Sequence, residues 1–152
     1  MSFQKIPAGT RGNKTMKLNP FTRLMVRLMQ RVHRLQGDKF MGMDLLYLTT
    51  IGARSGQERR VALSRFAEGD GWLVLASAGG AKEQPAWYHN LAAHPEQIWA
   101  EVAGKKIRVT AEQLEGEAYD ATWKRITTDQ PRYNGYQSKT DRRIPIIKLT
   151  PA

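Results

Sequence analysis

The stretch LYLTTIGARSGQERRVALSRFAEGDGWLVLASAGG, Leu46 to Gly80, decides how the remaining chain can be arranged. Asp44 to Ile51 is short and apolar and closes in the β-branched Thr49, Thr50 and Ile51, the composition of a buried strand. Arg59 to Phe66 reads as a second strand. After it, Glu68-Gly69-Asp70-Gly71 supplies the Gly and Asp that tolerate the positive φ of a hairpin turn. Trp72 to Ala76 then forms a third strand, apolar on both faces, as in a closed or doubly covered sheet. Two reversals make the first and third strands run the same way. The loops after them, Gly52 to Arg60 and Ala76 to Gly80, therefore leave the sheet at one end.

The first loop combines glycine-freed backbone N–H groups with Arg54, Arg59 and Arg60, whose planar forks suit phosphate or carboxylate oxygens. A glycine-rich turn with solvated arginines reads the same way. The loop lacks the Lys-Ser/Thr pair of a Walker sequence and the helix and parallel strand of a Rossmann fingerprint. It is not Gly-x-Ser-x-Gly either, so Ser55 is a poor hydrolase nucleophile. The second loop precedes Lys82 and a helix beginning at Pro85, whose first turn offers unpaired N–H groups and partial positive charge. Side by side, the two loops make a basic groove for an extended anionic ligand.

Outward toward the N-terminus, residues 1–19 are polar, basic and broken by Pro7, Gly9 and Gly12, a flexible segment that a partner would have to order. Over residues 20–37, Phe21, Leu24, Met25, Leu28, Val32 and Leu35 recur at helical spacing among Arg23, Arg27, Arg31 and Arg34, and Gly37 ends the run. This basic amphipathic helix either lies on a sheet or rests on an anionic membrane surface through residues 5–35. Toward the C-terminus, a helix from Pro85 ends at His94-Pro95, and Ile98 to Val102 and Ile107 to Ala111 alternate as a hairpin around Ala103-Gly104. A further helix runs from Glu115 to Thr128, Pro131 stops it, and a Tyr- and Gly-containing loop leads to a last strand, Ile144 to Leu149. Six strands, mostly hairpin-linked, with three helices inserted make an α+β domain, residues 44–152, on an antiparallel sheet or small barrel.

The chain's 152 residues suit one domain, and 24 Lys and Arg against 14 Asp and Glu give a net charge of +10. Such charge attracts nucleic acid, anionic lipid or a multiply charged cofactor. No recognition helix or aromatic sheet module accompanies it, which argues against nucleic acid. Without cysteine there is no thiol nucleophile or thiolate metal site. His89 and His94 point well apart on a helix and no carboxylate cluster joins them, so no metal site is expected. With neither an apolar span nor a signal peptide, the expected location is the cytoplasm, soluble or peripheral on the inner face of the membrane. Oligomeric state leaves no trace in the sequence.

Tyr133 and Tyr136 stand in Pro131-Arg132-Tyr133-Asn134-Gly135-Tyr136-Gln137, where they either cap the core or line the pocket of a flat apolar substrate. The chemistry itself then belongs to a cofactor.

Four segments taken together carry a resemblance: Leu48-Thr49-Thr50-Ile51-Gly52-Ala53-Arg54-Ser55-Gly56, Ala76-Ser77-Ala78-Gly79-Gly80, Pro85-Ala86-Trp87-Tyr88-His89-Asn90-Leu91 and Tyr136 to Pro145. In this order they are similar to the deazaflavin-dependent nitroreductases and quinone reductases of actinobacteria. The resemblance implies a split β-barrel of the flavin-binding kind, and reduced coenzyme F420 rather than FMN as hydride donor. It further implies a quinone, menaquinone-like, or another electron-poor alkene or nitro compound as acceptor. By motif position, Arg54, Ser55, Gly56, Arg59 and Arg60 would hold the tail or phosphate. Ala76, Ser77, Ala78, Gly79, Gly80, Pro85, Ala86, Trp87 and Asn90 would border the deazaflavin and its phosphate. Ser77, Tyr133 and Tyr136 would face the substrate as catalytic residues. Many members carry Lys where this chain has Ala78, which leaves one phosphate contact either absent or supplied by Lys82. Some nitroreductases carry Tyr where it has Gln130, which favours quinones over nitroimidazoles. The alternative implied by the same fold is a non-catalytic carrier of a flavin-like or lipid-like ligand.

Overall fold

A computed structural model of the protein describes residues 4–12, 24, 28, 39–40 and 43–152. The expected amphipathic helix lies outside the described residues, apart from Leu24 and Leu28, which are helical and 54% and 48% exposed. Eight strands and three α-helices are described in chain order: β1 (Lys39–Phe40), β2 (Met43–Ile51), β3 (Glu58–Ser64), β4 (Phe66–Glu68), β5 (Gly71–Leu75), α1 (Ala86–Ala93), β6 (Trp99–Val102), β7 (Lys105–Gln113), α2 (Gly116–Asp129), α3 (Arg132–Lys139) and β8 (Ile146–Pro151). A single 3-10 turn, Ala78–Gly80, lies between β5 and α1.

Among the described residues every strand pairing is antiparallel. β2 lies between β3 and β6, β7 passes from β6 to β8, and β5 joins β8 to β4. β3 and β4 are two halves of one bent strand. Ser64 still pairs with Leu45 of β2 and the Arg65 N–H donates to Asp44 O at 2.9 Å, but at Phe66 the partner becomes Leu73 of β5. One segment thus joins the two ends of the sheet and curls it into the split barrel that the resemblance implies. The expected strand Arg59 to Phe66 is this segment, bent near its end, and β1 is a further short strand that the apolar pattern did not announce.

The two-sided apolarity of β5 follows from two cores. Val74 points into the barrel with Leu46, Leu48, Ile147 and Leu149. Leu73 and Leu75 point outward beneath α2 and α3, against Tyr119, Ile126 and Tyr133. Each buried Leu or Ile contributes roughly 1.5–3 kcal/mol. α1 closes the barrel by adding Trp87, Tyr88 and Leu91 to its core. At Gly71 a Cβ would lie 1.9 Å from Leu149 O, so β5 can start against β8 only without a side chain.

Two expectations need correction. The Tyr- and Gly-containing loop is helix α3: Gly135 faces open space, while Tyr133 and Tyr136, three residues apart, share its inner side. And the polar N-terminal stretch is ordered at residues 4–12 by the chain itself rather than by a partner. Ile6 N–H donates to Tyr88 Oη at 2.8 Å, Ile6 O accepts from Gln84 Nε2 at 3.1 Å, and Gln4 O accepts from Gln113 Nε2 at 2.8 Å. Further along, Gly9 N–H donates to Lys82 O at 2.8 Å and Thr10 N–H to Asp141 Oδ1 at 2.7 Å. The Thr10 hydroxyl and backbone N–H hold the Asp141 carboxyl down at about 2. A depressed carboxyl stabilises the fold above its ordinary value of 3.8, so this contact is lost only as pH falls from there toward 2.

The turn between β6 and β7 carries positive φ at both central residues, Ala103 at 52° and Gly104 at 79°. Glycine adopts this conformation freely, whereas alanine loses about 1–2 kcal/mol in it. Ala103→Asn should therefore stabilise the protein by about 1 kcal/mol, raising the melting temperature in a thermal scan by roughly 2–4 °C. An unchanged or lower midpoint would contradict the turn geometry.

Candidate functional site

The Ala76–Gln84 segment is built around one side chain that sequence reasoning passed over. Arg142 is 2% exposed, and its guanidinium donates to Ala76 O (3.0 Å), Ser77 O (2.7 Å), Ala81 O (2.7 Å) and Gln84 Oε1 (2.8 Å). The planar fork reaches acceptors at both ends of the loop, which an ammonium could not do. Burial pulls its pKa below the ordinary arginine value, with Tyr119 and Tyr88 opposing, but a guanidinium remains charged near neutrality. Arg142 lies in the Tyr136 to Pro145 segment, where a polar, charged surrounding reads as solvent-exposed. The only signal for its burial was the apolar run that starts two residues later at Ile144.

Held in this way, the loop winds left-handed. Ser77 is right-handed (φ −77°, ψ −39°), and Ala78, Gly79 and Gly80 follow at φ 45°, 63° and 84°. The turn closes on itself, Gly80 N–H donating to Ser77 O at 2.9 Å and Ala81 N–H to Ala78 O at 3.1 Å, and its right-to-left reversal at Ser77-Ala78 is the backbone pattern found in anion nests. A Cβ at Gly80 would meet Tyr136 O at 2.5 Å, so this glycine lets the loop close on α3. A Cβ at Gly79 would meet nothing, because that residue faces a cleft.

The cleft, about 370 Å³, occupies the seam where β3 leaves β5. Its walls are Val61 to Ser64 of β3, Leu75, the Ser77 to Gly79 turn, Pro85 and Trp87 at the start of α1, and Arg132, Tyr133 and Tyr136 of α3. Seven expected site residues thus meet there: Ser77, Ala78, Gly79, Pro85, Trp87, Tyr133 and Tyr136. A second cleft of about 320 Å³ adjoins it through the shared Ser64 and Arg132.

Other expected contacts serve the framework. Ala76 gives its carbonyl to Arg142. Asn90 is 5% exposed and accepts from the Ala53 N–H at 2.9 Å while donating to Thr50 Oγ1 at 3.0 Å, so it fastens the first loop to α1. Ser55 Oγ accepts from the Gln57 N–H at 3.2 Å inside that loop. Arg60 pairs with Glu101 at 2.7 Å and lies 4.5 Å over the Tyr47 ring. It is thereby committed to β6 and β2. Arg54, Gly56, Arg59, Lys82 and Ala86 are exposed and do not line the cleft. Arg54 nonetheless belongs to a cationic group around α1: His89 is held below its ordinary 6.5 by burial, then by Lys5 and Arg54, with Glu83 opposing. Lys5 Nζ donates to His89 Nδ1 at 3.3 Å.

On α3, Tyr133 is 4% exposed and packs edge-on to Phe66 (5.8 Å) and Tyr136 (5.6 Å). It therefore belongs to the second core and to the cleft wall at once. The Arg132 guanidinium lies 4.6 Å over the Tyr133 ring, and its Nη2 donates to Tyr133 Oη at 3.1 Å and Ser64 Oγ at 3.4 Å. Nη1 donates to Gln130 Oε1.

The chain is 38% identical over 108 residues, 69% of its length and 72% of the relative's, to the F420H(2)-dependent quinone reductase Rv1261c of Mycobacterium tuberculosis (strain H37Rv). It superposes on an F420-H2 dependent reductase, FDR-A, at 37% identity and a TM-score of 0.62, covering 70% of this chain and 93% of that one. The heme storage protein HutZ from Vibrio cholerae shares the fold alone, at 15% identity and a TM-score of 0.53 over 82% of this chain and 89% of that one. The family model for F420H(2)-dependent quinone reductases matches residues 21–151, and the chain belongs to that family.

Proposed function

We propose that this protein reduces a quinone with a hydride from reduced coenzyme F420, and that the two meet in the cleft between the Ser77–Gly79 turn and α3. The observation that carries this reading is the juxtaposition of a left-handed, glycine-containing backbone turn with a tyrosine-lined wall in one cavity. The residues present fit the cofactor. The turn is left-handed and open at Gly79, where a flat ring can approach the backbone without meeting a side chain. Lys5 and Arg54 gather around His89 of α1, the helix whose first turn supplies Pro85 and Trp87 to the cleft, and a long anionic tail would meet its positive charge there.

In this reading Ser77, Ala78 and Gly79 hold the deazaflavin edge and its phosphate, and Pro85 and Trp87 form the floor. Bound F420H2 supplies the hydride. Val61, Leu63 and Leu75 exclude water from the acceptor, which keeps the hydride from being lost to solvent. Tyr133, Tyr136 and Ser77 carry the hydroxyls of the cleft lining, and one of them or water delivers the acceptor's proton. Arg54, Ser55, Gly56 and Arg59 attend the tail. Arg60 is less suited to that role, because Glu101 already holds it.

Binding should follow the cofactor's charge. Purified protein should bind F420 more tightly than FMN, and F420H2 absorbance should be lost only when a quinone is added; FMN binding with none for F420 would sink the assignment. An anion beside Lys5 and Arg54 relieves their repulsion of a proton on His89 and raises its pKa, so binding takes up a proton. F420 affinity should therefore rise as pH falls through and below 6.5, and His89→Gln should flatten that dependence.

Arg142→Met would leave buried carbonyls of the Ala76–Gln84 segment without a donor, at about 1–3 kcal/mol each. The expected result is a loss of about 3 kcal/mol in denaturant unfolding, together with weaker F420 binding. Unchanged stability would show that the loop does not depend on the guanidinium.

No helix among the described residues is long and apolar enough to cross a membrane. We further propose that the basic residues of 5–35 bring the cleft to anionic lipid, each contributing about 1 kcal/mol at the surface. The full chain should co-sediment with anionic vesicles in low salt, while a chain with Arg23, Arg27, Arg31 and Arg34 all changed to Gln should not; equal recovery of both would end this proposal.

A further inference from the structure

The proposed reaction creates a charge that the cleft must accommodate. Hydride transfer oxidises the donor and places two electrons and a proton on the quinone, which becomes a hydroquinone monoanion. Its negative charge stays on oxygen until a proton arrives from a hydroxyl of the wall or from water. In an apolar cavity such a charge is costly unless a fixed cation or dipole is already aimed at it. Among the described residues lining the cleft, Arg132 is the single cation, and none of the others is a carboxylate.

Its surroundings leave that charge unspent. Arg132 donates only to neutral oxygens, on Tyr133, Ser64 and Gln130, and it forms no ion pair among the described residues. The other arginines of the adjoining cleft are engaged: Arg125 pairs with Glu68 at 2.6 Å, and Arg65 donates to Leu45 O. The carboxylates that line the second cleft with Arg132, Asp44 and Asp129, are not within ion-pair reach of it. Position is fixed as well. The guanidinium plane rests 4.6 Å over the Tyr133 ring, Gln130 grips Nη1, and the Ser64 contact ties the other end to β3. Arg132 is half-buried, and a planar cation held on three sides at the junction of two cavities is oriented before any ligand arrives.

We propose that Arg132 is a catalytic residue that receives the acceptor's carbonyl oxygen and stabilises the oxyanion formed by hydride transfer. This assignment rests on the quinone-reductase reading of the cleft. It selects acceptors whose reduction leaves charge on oxygen, quinones and enones, and it separates two roles on α3: Arg132 takes the charge, while the neighbouring tyrosines hold the ring.

The test needs no cofactor. 4-Nitrophenol, whose anion absorbs in the visible and which titrates near neutrality, serves as a stand-in for the charged product, and its titration is followed bound to the F420-free protein. An opposite charge within about 4–6 Å lowers an acid's pKa by about 1–3 pH units, so the bound probe should ionise that much more readily than free probe. Arg132→Gln should remove the shift, Arg132→Lys should keep part of it, and Gln130→Ala, which frees the guanidinium without removing its charge, should reduce it. Tyr133→Phe should leave it in place. All four variants are checked for a native thermal transition, and F420 affinity should be unchanged in Arg132→Gln. In turnover with a quinone, Arg132→Gln should lower kcat by about 100-fold, the loss seen when one oxyanion donor is removed, with little change in KM. A bound probe that titrates like free probe, a shift that survives Arg132→Gln, or no probe binding at all would overturn the assignment. If wild-type protein instead failed to bind F420 while showing an Arg132-dependent shift, the cofactor reading would fall and the oxyanion site would stand.

Discussion

The site depends on a buried guanidinium. Arg142 is surrounded by the Ala76–Gln84 segment and satisfies acceptors from Ala76 to Gln84, so the left-handed turn between them is shaped by hydrogen bonds to a single side chain. Positive φ at Ala78 costs energy in isolation, and it persists because the surroundings over-determine it. The same network extends outward. Gln84, which accepts from Arg142, donates to Ile6 O, and Asp141, the residue before Arg142, receives Thr10 and Arg11. Residues 4–12 therefore clamp the loop from outside while Arg142 holds it from within.

The cleft exists because the barrel closes imperfectly. A strand that paired with β2 along one edge and β5 along the other over its whole length would seal the wall. The segment from Glu58 to Glu68 instead divides its pairing at Arg65, between β2 before and β5 after. Val61 to Ser64 are left with an edge facing Leu75 and Ser77, and α3 covers part of that gap. Closure and opening are thus consequences of one bend. The arrangement also explains why Tyr133 has two duties. A helix laid across a seam must present the same face to the core beneath it and to the cavity beside it.

Much of the fold was legible in the sequence, and for a physical reason. β5 read as apolar on both faces because it does separate two cores, and the Ala103-Gly104 turn read as a hairpin because both residues adopt positive φ. The tyrosine helix was missed because Pro131 and Gly135 suggested a break; yet Pro131 stands at its start, where no N–H is needed, and Gly135 lies on its outer side. In the site, the second loop was legible because glycine marks left-handed backbone. Arg142 was not, because nothing local distinguishes an arginine that donates to distant carbonyls from one that faces water.

That difficulty applies to the positive charge as a whole. A net charge of +10 suggested a groove crowded with arginines, but the fold commits several of them. Arg60 is paired with Glu101, Arg125 with Glu68, and Arg142 is enclosed by carbonyls. What distinguishes a functional cation here is the chemistry of its partners. Neutral acceptors fix a guanidinium in place and leave its charge uncompensated, whereas a carboxylate cancels much of its field. Arg142 also meets only neutral acceptors, but it is buried and does not line the cleft; Arg54, which helps to depress His89, and Arg132, held by a tyrosine, a serine and a glutamine, are cations that a bound anion can reach. One stands near the loop after β2 and the other beside the acceptor wall, so the two ends of the proposed cofactor and substrate assembly meet separate positive charges.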